Sequence, residues 1–323
     1  LCEEARVDTA LALLSINLLQ PMVLAFGLGF AAQLIRSDLR LPDPVHQGLT
    51  IYLLLAIGLK GGVALSVAAP SEVVGPMLGA VLLGAAIPLW CYPVLRRLGR
   101  FGAEDAGAIA AHYGSVSAVT FVAGLAWLAA AAVSVEGYLP ALLAVMEAPG
   151  IAVAILLARR RQGAFAAIAH EVLAGKSIVL LLGGLIVGAL AGERGYAPVA
   201  PFFATGFPGA LTLFLLDMGV MAARRARDVL RVGPFLLAFA IAAPVVNGAL
   251  GAALGTATGL SPGGATMLAV LAASASYIAA PAAVRLALPD ANPGYALTAA
   301  LTITFPFNLT IGLPLYAAMA GAG

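Results

Sequence analysis

Residues 107–130 read GAIAAHYGSVSAVTFVAGLAWLAA, a run without a charged residue and with Gly114-Ser115-Val116-Ser117 set in its middle. A bilayer core of about 30 Å takes about 20 apolar residues of helix, so this stretch is long enough to cross one. Gly and Ser favour a break or a cap over an unbroken helix, however, and they place hydroxyls and amides where hydrocarbon offers no partner. The composition around it agrees with a lipid solvent. Of 323 residues 62% are hydrophobic and 10% charged, and mean hydropathy is +1.02, whereas soluble domains run at about 45–50% apolar and about 25% charged. A soluble globule of this composition would have nothing to cover its surface with, which excludes nucleic-acid binders, disordered chains and disulfide scaffolds. Two cysteines, Cys2 and Cys91, make no disulfide framework. The sequence opens on a short polar stretch (Glu3, Glu4, Arg6, Asp8), from which no signal peptide is expected.

Pro, Gly and charge cut the rest into ten stretches of similar length, at about 11–36, 45–69, 72–98, 104–130, 137–159, 171–192, 203–223, 229–258, 263–288 and 292–320. Hydropathy does not alternate as in a barrel strand, and Gly pairs four apart (Gly58 and Gly62, Gly184 and Gly188, Gly251 and Gly255) suit close helix packing. The expectation is an all-α polytopic membrane protein of ten helices. Loops after the odd-numbered spans hold 13 of the arginines; the other side holds Arg6 and Arg194. By the positive-inside rule both termini lie on the non-cytoplasmic side, with Cys2 and Cys91 far apart.

The two halves, 1–160 and 161–323, resemble each other. Residues 53–58 (LLLAIG) read like 214–219 (FLLDMG), Ser115-Val116-Ser117 like Ser274-Ala275-Ser276, and Ala148-Pro149 like Phe305-Pro306, at offsets of 161, 159 and 157. Five spans per half make the second copy enter from the opposite side, an inverted repeat with helices 4 and 9 broken. Both serine motifs then reach the midplane from opposite faces, and Pro281 leaves the Tyr277 carbonyl without its helical donor. Two helix N-termini with free amides, together with Ser115, Ser117, Thr120, Ser274 and Ser276, would converge there as a site for a small anion. The plainer alternative is that these hydroxyls bond their own i−4 carbonyls while Gly114 packs a helix crossing.

Lys60, Glu147 and Asp217 fall deep within spans, where each costs about 2.5–3.5 kcal/mol unless paired or hydrated. Asp217 and Lys60 are expected to neutralise each other; alternatively Glu147, ahead of Pro149, binds a coupling cation or proton beside Asn308 and Thr310. Lys176 snorkels. His112 either lines the inner approach to the serine motif or is a packing histidine, and His46 and His170 face solvent at the cytoplasmic ends. There is no HExxH, P-loop lysine, GxSxG or metal-spaced Cys and His, so neither an enzyme nor a metal site is expected. The arginines of 224–231 serve topology and would also meet anionic membrane lipid.

The succession Gly114-Ser115-Val116-Ser117, then Met146-Glu147-Ala148-Pro149, then 271–278 (LAASASYI), Pro281 and 285–293 (RLALPDANP) resembles the sodium-dependent bicarbonate transporter family, the single-component bicarbonate permeases of bacteria, through the whole chain in order. The resemblance implies a gate domain and a core domain, each drawn from both repeats, a homotrimer in the bacterial inner membrane and elevator-like movement of the core. It also implies bicarbonate between the broken helices, held by Gly114, Ser115, Val116, Ser117 and Thr120 with Ser274, Ala275, Ser276 and Tyr277. The resemblance also implies sodium nearby and, in some members, regulation by a PII-like protein; Glu147, Asp217 and Lys60, deep within their spans, and Asn308 are the candidates for ion coupling. Two departures stand out. Tyr277 occupies the position of a family Asp, followed by Ala279 and Ala280 in place of Ser and Gly, so sodium is lost or relocated, or the Lys60 ammonium replaces it. The central loop, 159–170, is short for the regulator. The competing readings are an organic-anion carrier of the bile-acid symporter type, which needs a wide apolar cavity, and a non-transporting membrane sensor of the same fold.

Overall fold

The computed structural model of the chain describes residues 19–159, 170, 173–229 and 232–322, with Arg227 as backbone alone. Cys2, Arg6, Arg160, Arg161, Arg231 and the expected start of the first span lie outside the described residues. What is described is helical, without a strand. In chain order the helices are α1 (Pro21–Leu34), α2 (Asp43–Val67), α3 (Pro70–Arg97), α4 (Ala103–Gly114), α5 (Ala118–Ala130), α6 (Leu139–Ala158), α7 (Lys176–Tyr196), α8 (Phe207–Val229), α9 (Gly233–Ala257), α10 (Pro262–Ala273), α11 (Ala280–Ala287) and α12 (Pro293–Met319). Proline stands at the first or second position of most of them, where its missing N–H costs nothing. α12 widens into π turns at Thr298–Thr304 and Asn308–Gly312, around Pro306.

Eight helical stretches among the described residues are long and apolar enough to cross a membrane, with α4 and α5 counted together as one. Ten were expected. α1 has 14 described residues, and the stretch expected at 263–288 is divided into α10 and α11 by an extended segment. α7 runs on past the expected end at 192 to Tyr196 and bends at Gly192, whose φ of 59° with ψ of −170° is a combination that favours glycine.

The glycine pairs mark close helix crossings. A methyl group on Gly62 would fall 2.1 Å from the Leu185 carbonyl oxygen and one on Gly188 2.1 Å from that of Leu59, so α2 and α7 meet backbone to backbone. Gly29 and Gly219 do the same for α1 and α8, with 1.9 and 2.0 Å to the carbonyls of Leu216 and Phe26, and Gly251 and Gly255 seat α9 against Ala269 and Ala265 of α10. Close approach through small residues replaces the hydrophobic drive that lipid does not supply. α3 and α6 pack on α4, and α9 and α12 on α10. The outer faces carry leucine and valine into lipid, as at Leu82, Ile186 and Leu190.

One polar clamp sets where α10 begins. Glu136, in the loop before α6, accepts from the Ser261 amide at 2.6 Å and its hydroxyl at 3.1 Å, while the Ser261 hydroxyl accepts from Gly264 N at 3.0 Å. A carboxylate at a helix start also meets the positive end of the helix dipole. Glu136→Ala is expected to cost about 2–3 kcal/mol, the range for charge-assisted bonds plus a cap, read as a lower Tm of the purified protein in detergent.

Candidate substrate site

Gly114 ends α4, Ser115 to Ser117 run extended, and α5 starts at Ala118 with the Ser117 hydroxyl accepting from Thr120 N at 3.2 Å. The second break repeats the device. α10 ends at Ala273, Ser274 is extended, and the Ser276 hydroxyl accepts from Ala279 N and Ala280 N, both at 3.2 Å, ahead of α11. Both breaks are therefore real, and in each a serine two residues into the motif caps the outgoing helix.

The breaks touch. Ser117 N donates to the Ser274 hydroxyl at 2.8 Å, that hydroxyl donates to the Leu271 carbonyl at 2.8 Å, and Ser276 N donates to the His112 carbonyl at 2.8 Å. The meeting of the two motifs follows the expectation, but two of the amides expected to be free are spent on holding the breaks together. Those left are further on. The amides of Ala118 and Val119, and of Tyr277 and Ile278, have no acceptor among the described residues. The Ser115 hydroxyl is fully buried and unpartnered, and the Tyr277 hydroxyl lies beside Ser117 without closing a hydrogen bond. Val116, Thr120, Ala275, Ser274 and Ser276 are all buried around them. Ala118, Val119 and Ile278 border a cavity of about 10 Å³ whose far wall is Leu53, Leu54 and Phe214 of α2 and α8. That volume is about one water molecule, so in this conformation α2 and α8 close over the breaks.

The carbonyls that the breaks release are handled by neighbours. Gly114 lies against Pro88 of α3 and Gly150 of α6, where a methyl group on Gly150 would sit 1.9 Å from the Gly114 oxygen. Asn308 Nδ2 donates to the Ala273 carbonyl at 3.0 Å, and Asn308 Oδ1 accepts from the Tyr316 hydroxyl at 2.7 Å. Asn308 is thus committed to the second break, and it makes no hydrogen bond with Glu147. Glu147 is buried at 5% exposure with Oε2 unpartnered. Thr310 donates to the Pro306 carbonyl at 2.8 Å.

The expected pairing of Asp217 with Lys60 is not what forms. Asp217 Oδ2 is 2.8 Å from His46 Nδ1, Oδ1 accepts from Leu41 N at 3.4 Å, and the His46 ring stacks on Phe214 at 5.1 Å. His46 is in the first turn of α2, so Asp217 lies toward the arginine-bearing end. Lys60 stands 14 residues further along α2, roughly 21 Å at 1.5 Å per residue. It is exposed on a cavity of about 260 Å³ between α2, α5 and α8. His46, expected in solvent, is half-buried and paired instead. Cys91 is buried and free.

The family model of the Na+-dependent bicarbonate transporter superfamily matches residues 21–321, nearly the whole chain. The chain belongs to that superfamily. No curated protein matches it as a relative. Membership and the apolar helices make it a multi-pass membrane protein of a transporter superfamily. Both serine motifs, Glu147 and Tyr277 lie inside the matched region.

Proposed function

We propose that the chain is a secondary transporter that takes up bicarbonate, holding the anion at the two helix breaks. The observation that supports this is the contact of the two breaks, Ser117 N on the Ser274 hydroxyl and Ser276 N on the His112 carbonyl, next to amides of Ala118, Val119, Tyr277 and Ile278 and a Ser115 hydroxyl that have no acceptor or partner among the described residues. Donors and helix dipoles without a buried cation suit a small monoanion. A wide apolar cavity for an amphipathic anion does not lie at the breaks, where the space is about 10 Å³.

The architecture proposed with it is ten spans in two inverted five-helix repeats. Its support is reciprocal packing: α1 lies on α8 as α7 lies on α2, and α3 and α6 lie on α4 as α9 and α12 lie on α10, each pair exchanging under the sequence offset. α1, α2, α7 and α8 form the gate, and the remaining helices form the core that carries the breaks. Between them lie Leu53, Leu54 and Ile57 of the gate and Val119, Val122 and Ile278 of the core, an apolar face over which an elevator movement would slide. A homotrimer in the bacterial inner membrane with both termini on the non-cytoplasmic side completes this reading, and the 13-to-2 split of arginines sets the orientation.

For the coupling ion, Tyr277 brings no carboxylate to the second break. The coupling carboxylate in this reading is Glu147, on the turn that supports the first break. Purified protein in liposomes is expected to accumulate labelled bicarbonate at pH 8 at the same rate in sodium and in choline. Glu147→Gln, nearly isosteric, is expected to cut uptake against a gradient at least tenfold while exchange continues. Absence of any bicarbonate-dependent flux sinks the transport reading; a strict sodium requirement sinks the assignment of Glu147 alone.

A further inference from the structure

Between the breaks and the arginine-bearing end lies a second cavity, of about 130 Å³, walled by α4, α11 and the start of α12. Its closing loop is pinned from α4: Glu104 Oε2 accepts from Asp290 N at 3.0 Å and Asp105 Oδ1 from Asn292 N at 2.8 Å, and Asn292 caps α12 through Gly294 N. Two polar side chains belong to the wall, His112 and Arg285; the rest is proline and aliphatic carbon.

The protonation of His112 follows from its partner. Nδ1 is 2.7 Å from the Ala108 carbonyl oxygen, an atom that only accepts, so Nδ1 carries the hydrogen. At pH 8, above the ordinary imidazole range, Nε2 is then a bare lone pair. It is buried with no partner, in a residue 2% exposed. Arg285, exposed at the mouth, has no ion pair or hydrogen bond among the described residues. One wall of this cavity therefore supplies a cation with several donors, and another supplies an acceptor in want of a hydrogen. Chloride, nitrate and sulfate meet the first requirement and not the second. A planar oxyanion with its own hydroxyl meets both: its two charged oxygens face the guanidinium and its O–H donates to Nε2.

We propose that His112 and Arg285 form a second anion site, on the arginine-bearing side of the breaks, that selects a small oxyanion carrying a hydroxyl, hydrogencarbonate being the simplest. The choice of that anion rests on the transport reading above; the site itself rests on the cavity and its two unpartnered groups. The His112 carbonyl already receives Ser276 N from the second break, so the site adjoins the first one and lies on the path from it to the arginine-bearing end.

Labelled bicarbonate bound to the purified protein at pH 8, counted by scintillation proximity, tests this. Two anions per chain are expected for the wild type and one for Arg285→Gln, a substitution at an exposed position that leaves the fold intact. Excess nitrate, planar and without a hydroxyl, is expected to displace only half of the label. In His112→Gln, whose amide can turn a donor to the cavity, nitrate is expected to displace all of it. One anion per chain, kept in Arg285→Gln and lost in Ser115→Ala with Tyr277→Phe, overturns the second site and leaves the transport reading standing. One anion lost in Arg285→Gln and kept in that double variant upholds the second site and overturns the assignment to the breaks. No binding at all overturns both.

Discussion

Gly150→Val is expected to abolish the folded protein, or to lower its Tm by more than 10 °C. The reason is local and does not depend on any functional reading. At Gly150 the added Cβ would lie 1.9 Å from the Gly114 carbonyl oxygen, 2.2 Å from its carbon and 2.6 Å from its Cα. Those atoms are backbone, so no side chain can turn away. They also belong to the last residue of α4, which is already held on its other side by Pro88. Overpacking typically costs about 1–3 kcal/mol; a clash with fixed backbone at the point where a helix breaks belongs above that range. The matched control is Gly183→Val in α7 or Gly27→Val in α1, where nothing stands within 4 Å of the added Cβ. These are expected to change Tm by no more than about 1–2 °C, close to what the helix propensities of Gly and Val give. Thermal unfolding in detergent, followed by intrinsic fluorescence, checks all three. A Gly150→Val protein that melts with the wild type would mean that α6 and the first break are not in contact.

Much of this arrangement is legible in the sequence because it depends on residues whose chemistry is strong and local. Gly114, Ser115 and Ser117 in a charge-free apolar run can hardly be anything but a break or a crossing, and the similar pattern at Ser274 and Ser276, at a nearly constant offset, favours the break without removing the crossing. The glycine pairs of α2, α7 and α9 are readable for the same reason: in lipid, small residues four apart have one use. Pairings between distant segments are not readable in this way. Nothing near His46 in the chain says that it will meet Asp217, and the rule that a deep carboxylate needs a partner named the need but pointed to Lys60, a cation on a related helix. The distance along α2 decides against it. Asn308 misled for a different reason. A buried amide on the helix matching Glu147 reads as an ion ligand, whereas a break in one helix leaves a carbonyl that must be satisfied from the next, and Asn308 serves Ala273. The use of Ser117 N and Ser276 N as cross-links is likewise invisible until the two breaks are placed side by side.

With Ser117 N and Ser276 N committed to cross-links, ligand binding falls to groups with no structural duty. Ser115→Ala and Tyr277→Phe each delete a buried hydroxyl that closes no hydrogen bond among the described residues, Tyr277 lying beside Ser117. Leaving such a group unsatisfied costs about 1–3 kcal/mol, so its removal is expected to leave Tm unchanged or raise it. Ser117→Ala and Ser276→Ala differ, because those hydroxyls cap α5 and α11 and their loss costs about 1 kcal/mol each. Function should sort the four the other way. A hydrogen bond to a charged ligand is worth about 1.5–3 kcal/mol, and 1.4 kcal/mol is a factor of about ten. Ser115→Ala and Tyr277→Phe are therefore each expected to weaken bicarbonate uptake about tenfold or more at subsaturating substrate, and together about a hundredfold, in a protein at least as stable as the wild type. A structural role for these hydroxyls predicts the reverse, lower stability with uptake per folded molecule preserved. Measuring Tm and initial uptake on the same reconstituted preparations separates the two, since no single physical cause raises stability and lowers transport at a site unless the groups removed were held in reserve for a ligand.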